Sequence, residues 1–267
     1  MQSQAWQSLL VPENEHGSAW EIYHENSKTS RHDVPIDSQD VRKRMDQMWP
    51  SLPYEGYPAF ALSDQLATFN LSLDQTILSR ETARTMSSGS MDLDQLSSLL
   101  HYSYGITRSN QDGEYPRPFR VVPSGGALYP LELYFHSSHI GGLRAGIYHY
   151  NPTENCVRLL REGDFTRQLS QSLVQQNLAL DSTLMVFITA LFERSLFKYG
   201  ERGYRFTLME AGHVSQNMNL VATALGKGVV NIGGFFDRDI DSILGLDGVL
   251  HSTLYCMAIG ERVEMNL

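Results

Sequence analysis

The 267-residue sequence predicts an α+β fold, on three observations. Some stretches place apolar residues at three- and four-residue steps, the period of a helix with one buried face. Others are short runs rich in aromatic and branched residues, the composition of strands. The two kinds do not alternate strictly, which separates the pattern from a doubly wound parallel sheet.

Met1 to about Leu73 is polar and punctuated by Pro12, Pro35, Pro50, Pro53 and Pro58, with one helix candidate from Asp37 to Trp49. It reads as an N-terminal extension (1–73) wrapping a core domain (74–267). Asp92-Leu93-Asp94 opens a helix with Leu93, Leu96, Leu99 and Leu100 on one face, and Gly105 closes it. Arg108 to Arg120 is polar and reads as a loop. Leu131 to His136 and Gly146 to Tyr150 read as strands separated by Gly141-Gly142. Asp164 to Leu178 returns to helical spacing through Phe165, Leu169 and Leu173, and Thr183 to Phe192 has the unbroken apolarity of a strand buried on both faces. From Tyr204 to Leu225 small and apolar residues (Leu208, Ala211, Gly212, Ser215, Met218, Ala222) form the stripe of a core helix, on which His213 reads as a satisfied core histidine. A strand (Val229 to Ile232), a helix (Arg238 to Leu244) and a strand (Ser252 to Ile259) follow.

Charge and composition exclude several classes. Lys+Arg 21 against Asp+Glu 30 gives a net charge of −9, the wrong balance for gripping a nucleic-acid backbone. Lys occurs only at positions 28, 43, 198 and 227, so the basic set is mostly Arg, the better fork for carboxylate or phosphate. The longest apolar run, Leu184 to Phe192, is far short of the ~20 residues of a membrane helix, and Met1 to Gly17 lacks the pattern of a signal peptide. A cytoplasmic protein is expected, with Cys156 and Cys256 as free thiols, since two cysteines without C-x-x-C spacing imply neither a disulfide framework nor zinc. G-x-S-x-G and H-E-x-x-H are missing and the histidines do not cluster at metal spacing, so no metal is expected.

Three constellations remain. In an extended segment, Arg80, Thr82 and Arg84 would present two guanidinium forks and a hydroxyl to one side, a set suited to a phosphate monoester, while two solvated arginines at a helix start are the plainer reading. Pro123-Ser124-Gly125-Gly126-Ala127-Leu128-Tyr129-Pro130 precedes a strand. Its paired glycines let backbone approach a flat ligand, or simply make a tight turn, and it lacks the lysine of a P-loop. Gly233-Gly234, at the exit of the penultimate strand, is a similar element. Finally, Lys198-Tyr199 leaves the buried strand into a Gly-flanked loop. A neighbouring ammonium would favour the phenolate and create a base, while an amphipathic surface pair is the plainer reading.

In their order and spacing, these segments resemble the SagB-type dehydrogenases of the nitroreductase superfamily, flavin enzymes that oxidise thiazolines and oxazolines in peptide natural products. Tyr23-His24-Glu25-Asn26-Ser27-Lys28, Tyr204-Arg205 leading into Leu208-Met209-Glu210-Ala211-Gly212-His213, and Gln216-Asn217 also carry the likeness, which spans nearly the whole chain. The resemblance implies a nitroreductase-like fold with a mixed or antiparallel central sheet flanked by helices, an entwined homodimer, and one FMN in each of two sites at the subunit interface. By position, Arg80, Thr82 and Arg84 would grip the phosphate; Pro123, Ser124, Gly125 and Gly126 would line the isoalloxazine; Gly233 and Gly234 would offer N–H groups near its reactive nitrogen. The Tyr204 to Leu225 helix would be a dimer interface. Arg262 stands where some relatives carry a basic cluster completing the phosphate site, and Lys227 replaces an apolar residue. Lys198-Tyr199 matches a Lys-Tyr pair of azoline dehydrogenases, with Tyr199 as base and Lys198 as its electrostatic partner. The implied reaction aromatises azolines in a peptide precursor, beside cyclodehydratase partners. An NAD(P)H-dependent nitro or quinone reductase, an oxidase of carrier-bound azolines in a nonribosomal assembly line, and a flavin-free scaffold are the competing readings.

Overall fold

Strands that bury both faces organise the chain, and their alternation decides which helices cover which side. The computed structural model describes residues 18–110, 113 and 117–263, so the signal-peptide reading of Met1 to Gly17 lies outside the described residues. Helices α1 (Ala19–Asn26) and α2 (Ser38–Gln47) precede β1 (Ala59–Ala61), α3 (Leu73–Ser79) and β2 (Met86–Ser87). Next come α4 (Leu93–Tyr104), the hairpin strands β3 (Ile106–Arg108) and β4 (Phe119–Arg120), β5 (Leu131–Ser137), β6 (Gly146–Asn151) and β7 (Cys156–Glu162). Then follow α5 (Thr166–Gln171), α6 (Asn177–Leu180), β8 (Leu184–Leu191), α7 (Glu193–Tyr199), α8 (Arg202–Ala224), β9 (Lys227–Ile232), α9 (Asp237–Leu244) and β10 (His251–Arg262).

The main sheet runs β1-β7-β6-β5-β8-β10-β2, with β9 also paired to β10, and these strand pairings are antiparallel. On the central strands, Leu131, Leu133, Val186, Ile188, Met257 and Ile259 point to one core, which α4 and α8 close with Leu96, Leu99, Leu100, Val214, Met218 and Ala222. The intervening Tyr134, Met185, Phe187, Cys256 and Ala258 point to a second core, closed by Leu169, Leu173, Ile240 and Leu244. This period of two is why the Thr183 to Phe192 run reads as continuously apolar. Local chemistry fixes helix ends: Asp92 accepts from Gln95 N at 2.7 Å at the start of α4, and Gly245, at φ +76°, takes the left-handed turn after α9.

Four expectations change. The Asp164 to Leu178 helix is broken into α5 and α6, because Leu173 bridges Phe235 and Val174 N donates to Gly234 O at 2.9 Å, pulling the intervening backbone toward β9. Lys198 and Tyr199 close the short helix α7 and are not in a loop; the loop is Gly200 and Glu201. Part of the Arg108 to Arg120 stretch is a hairpin. His213 is exposed: Val214, Ser215 and Met218 turn inward, leaving His213, Gly212, Leu208 and Met209 outside. Among the described residues no helix is long and apolar enough to cross a membrane, and both cysteines are free and buried.

Candidate active site

The run from Pro123 to Pro130 folds into a turn with consecutive left-handed residues: Gly126 at φ +65° and Ala127 at φ +52°, followed by Tyr129 at φ +47°. Left-handed backbone costs a residue with a side chain about 1 kcal/mol or more, so something must hold Ala127 and Tyr129 there. Ser124 Oγ accepts from Tyr129 N at 2.9 Å, and Tyr129 Oη accepts from Arg120 N at 2.9 Å. At Gly126 the absence of a side chain is a requirement of space as well. A Cβ there would stand 2.6 Å from Tyr199 Oη and 2.9 Å from Lys198 Nζ. The turn and the Lys-Tyr pair, about 70 residues apart in sequence, therefore meet at one point.

Beside that point lies a cavity of about 630 Å³, lined by Arg108, Arg120, Pro123, Ser124, Gly126 and Lys198 among others. Tyr199 sets its ring edge-on to Phe206 at 4.9 Å, and Lys198 Nζ lies 5.3 Å from the centre of the Tyr199 ring. Burial raises the Tyr199 phenol above its ordinary range, opposite to the shift anticipated from an adjacent ammonium. Lys198 stands over the ring, where it does less for a phenolate oxygen than it would beside it, and desolvation outweighs it.

Behind the turn sits Glu210, which sequence reasoning did not single out. It is 2% exposed, and Tyr104 Oη donates to its Oε1 at 2.8 Å. Burial pushes its carboxyl up to about 7, against the opposing pull of hydrogen bonds from Ser124 and Tyr104. A signal was present: an acid on the inward face of an otherwise apolar helix, between Thr207 and Ala211. Next to it, the Arg120 guanidinium lies 4.2 Å from the Tyr104 ring and 5.0 Å from the Tyr129 ring. Deeper still, Glu132 is ion-paired to Arg194 at 2.6 Å and bonded to His149 at 2.6 Å. Although burial alone would raise it, these partners hold Glu132 well below the usual carboxylate range.

Arg80, Thr82 and Arg84 lie elsewhere. Ala83 N donates to Val229 O at 3.0 Å, which pins the segment against β9, while Thr82 and Arg84 face solvent and Arg80 is half-buried. Arg262 reaches the same segment through an ion pair with Glu81, and Lys227 is buried between Ser90 O and Glu261. Ala83 and Phe235 pack into the same core, so Gly233-Gly234 shares this side of the molecule, about 13 Å along β9 from Val229. Arg262, Ser79 and Thr223 line one shallow cavity at the end of α8. Phe206 abuts Tyr199 near the other end, about 25 Å of helix away at ~1.5 Å per residue. The predicted site residues thus form two groups in one chain: Ser124, Gly125 and Gly126 with Lys198 and Tyr199, and the Arg80 to Arg84 segment with Arg262 and Gly233-Gly234.

The sequence profile of the nitroreductase family matches residues 77–261. The chain belongs to the nitroreductase family. It is 32% identical over 194 residues to the nitroreductase-family protein MJ1384 of Methanocaldococcus jannaschii, covering 73% of this chain and 93% of that protein. Two further relatives are processing proteins by name. The microcin B17-processing protein McbC of Escherichia coli is 34% identical over 52% of each chain. The trifolitoxin-processing protein TfxB of Rhizobium leguminosarum bv. trifolii is 29% identical over 63% of this chain and 47% of its own. The chain spans about half the length of these two. The same fold recurs in a nitroreductase-family crystal structure from Anabaena variabilis, with TM-score 0.72, 23% identity, and coverage of 95% of this chain and 49% of that one. It recurs also in a chain of the E. coli microcin synthetase McbBCD complex with truncated pro-MccB17 bound, with TM-score 0.57, 23% identity, and coverage of 92% of both.

Proposed function

We propose that this nitroreductase-family oxidoreductase is an FMN-dependent azoline dehydrogenase of the cytoplasm, removing two hydrogens from thiazoline or oxazoline rings of a peptide to leave thiazoles or oxazoles. The observation that carries the reading is the meeting of Lys198 and Tyr199 with Gly126 at the mouth of an open cavity. The similarity to McbC and TfxB points the same way.

The residues present suit the cofactor. Arg80, Thr82 and Arg84 offer two guanidiniums and a hydroxyl, and among the described residues neither arginine is in an ion pair, so their donors suit a phosphate monoester. Arg262 stands beside them. No heavy atom lies within 4 Å of where a Gly233 Cβ would stand, so the backbone at Gly233 is open to a flat ring, while the Pro123 to Gly126 turn borders the open cavity. FMN held there would supply the two-electron acceptor that aromatisation requires. Because the Lys198-Tyr199 pair and the Arg80 to Arg84 segment with Arg262 sit at opposite ends of α8, a complete site takes one group from each of two copies, which favours a homodimer. The outward stripe of α8, with Leu208 43% and Met209 52% exposed, suits the contact. Cyclodehydratase partners are proposed from the likeness to McbC.

Tyr199, on this reading, takes the acidic ring proton as its phenolate and becomes a neutral phenol, and the Lys198 ammonium favours the phenolate form before the transfer. Since the phenol lies above its ordinary range, the basic form is scarce near neutrality, and kcat/KM is expected to climb roughly tenfold per pH unit until the phenol titrates. A cyclised candidate peptide, incubated with FMN-reconstituted protein and oxygen, is expected to lose about two mass units per ring. A protein that stays colourless after reconstitution, or one that reduces nitroarenes with NAD(P)H and leaves azolines untouched, overturns the proposal.

A further inference from the structure

The match to the nitroreductase family begins at residue 77, yet residues 18–52, well before it, touch both segments that converge at Gly126. On the Tyr199 side, α1 sits over the turn into α8. Tyr23 Oη donates to Glu201 O at 3.0 Å, and the Tyr23 ring meets Tyr204 edge-on at 5.4 Å. Arg205 Nε donates to Ser27 Oγ at 2.7 Å, and Arg202 Nη1 to Ser27 O at 3.2 Å; Ser27 is buried although α1 itself buries no residue. From the other direction, α2 drives Val41 and Met45, 2% and 4% exposed, into a small core with Leu128 and Phe197, with Tyr199 at its margin. Leu128 belongs to the glycine turn and Phe197 to α7, so one apolar contact bears on both.

The turn side is tied as well. Arg117 Nη2 donates to Met45 O and Met48 O, each at 2.8 Å, placing a buried cation on carbonyls at the end of α2. Arg120 Nη2 donates to Pro50 O at 2.7 Å, while Ser51 Oγ and Leu52 N donate to the buried Glu132 carboxylate, each at 3.0 Å. At the α7–α8 corner lies Gly200 at φ +54° and ψ −144°, a conformation only glycine adopts cheaply, where Gly200 N donates to Leu196 O at 2.8 Å and Gly203 N to Gly200 O at 2.9 Å. Bonds from α1 and packing from α2 add to these local bonds and hold the corner against the glycine turn.

We infer that residues 18–52 are a positioning device of the active site: α1 and α2 clamp the Phe197 to Arg205 corner and the Arg117 to Gly126 run into one register, and so set Tyr199 and Lys198 against the glycine turn. These are positioning residues, since none of them touches the cavity. The inference rests on the reading of Tyr199 as the base for its effect on turnover, and on the geometry alone for its effect on the corner.

The test uses the full chain in two variants. Val41→Ala/Met45→Ala empties the apolar contact under Phe197, with Met45→Leu as its refilled control. Tyr23→Phe/Ser27→Ala removes the two side-chain bonds of the grip, to Glu201 O and from Arg205 Nε, leaves the bonds from Arg202 and Arg205 to backbone carbonyls at the end of α1, and opens no core cavity, which keeps the question answerable if the first variant folds poorly. Hydrogen exchange of the cofactor-free protein is expected to quicken at least about tenfold at amides 196–205, with β8 and β10 unchanged. In the loaded enzyme kcat for azoline oxidation is expected to fall about 10- to 100-fold, as for a catalytic group displaced by about an ångström, with KM and FMN affinity within about twofold and Met45→Leu near wild type. Unchanged exchange at 196–205 in both variants overturns the clamp. So does a kcat loss matched by an equal loss of FMN affinity, which would mean general unfolding. A wild type that oxidises no azoline overturns the functional proposal instead, and the exchange measurement still decides the clamp.

Discussion

The two ends of α8 are built on opposite plans. At its start, Glu210 is buried and bonded to Tyr104 and Ser124, and Tyr199 and Lys198 stand against Phe206 and the glycine turn, all inside a single chain. At its end, the Arg80 to Arg84 segment is held by a backbone bond to β9 and by the Glu81–Arg262 ion pair, while Thr82 and Arg84 face solvent. A buried polar cluster must satisfy itself, because an unpaired group away from water costs about 1–3 kcal/mol. An exposed donor set can wait in water at little cost and spend its bonds on a ligand. Substitutions at the first end should therefore disturb chemistry and stability, whereas those at the second should disturb ligand affinity alone.

The sharpest break in the comparison is Tyr199→Phe. It keeps the ring against Phe206 and removes the hydroxyl, so azoline oxidation is expected to drop about 10²- to 10⁴-fold while FMN titration gives an unchanged Kd. Normal turnover would remove Tyr199 from the base role.

Glu210→Gln addresses the wiring behind the turn. The carboxyl titrates near 4.5 when unfolded and near 7 when folded, so between those values the folded state binds the extra proton. Stability from this group is therefore full below about 4.5 and is lost as pH rises to about 7, by up to about 3 kcal/mol. Urea unfolding at pH 5 and pH 8 is expected to show a wild type that weakens with pH by more than the variant does; parallel pH curves would place the titration elsewhere.

At the exposed end, Arg80→Ala and Arg84→Ala each remove a charge-assisted donor worth about 1.5–3 kcal/mol, which raises the FMN Kd about 10- to 100-fold. Thermal melts of the cofactor-free protein are expected to move by no more than about 2 °C, as for ordinary surface substitutions. A large melting shift with no change in Kd would reverse the contrast between the two ends.

Gly126→Ala is the finest probe. The left-handed φ of +65° costs alanine about 1–2 kcal/mol, and the new Cβ would stand 2.6 Å from Tyr199 Oη and 2.9 Å from Lys198 Nζ, so that pair must shift. The chain should therefore fold with that modest loss while the displaced pair turns over more slowly, a split that denaturant unfolding and kcat measured together would reveal.

How much of this was legible beforehand follows from where the information sits. The helix α4 was readable from Asp92 and its leucine spacing, and β8 from its unbroken apolar run, because each rests on local period and capping. The break between α5 and α6 was not, since it arises where residues 172–174 are captured by Gly234 and Phe236, about 60 residues on in the sequence. The outward position of His213 likewise depends on which side of α8 meets α4 and the sheet. Motif order alone pointed to Arg80, Thr82, Arg84, the glycine pairs and Lys198-Tyr199, and the family match agrees with the fold that order implied. Glu210 went unmarked, because an acid in an apolar stripe gains meaning only once Tyr104 and Ser124 are seen to donate to it.

By itself, then, the sequence determined the α+β class, the acidic, arginine-rich charge balance and the residue types that could hold a phosphate or move a proton, since period, charge and side-chain chemistry belong to the chain before it folds. Only the tertiary structure decided that Gly126 meets Tyr199 and Lys198, that the Arg80 to Arg84 segment stands at the far end of α8, and that residues 18–52 brace the corner between α7 and α8. Those are relations among segments distant in sequence, and they are set by which faces bury together and by where the buried arginines and Glu132 find their partners.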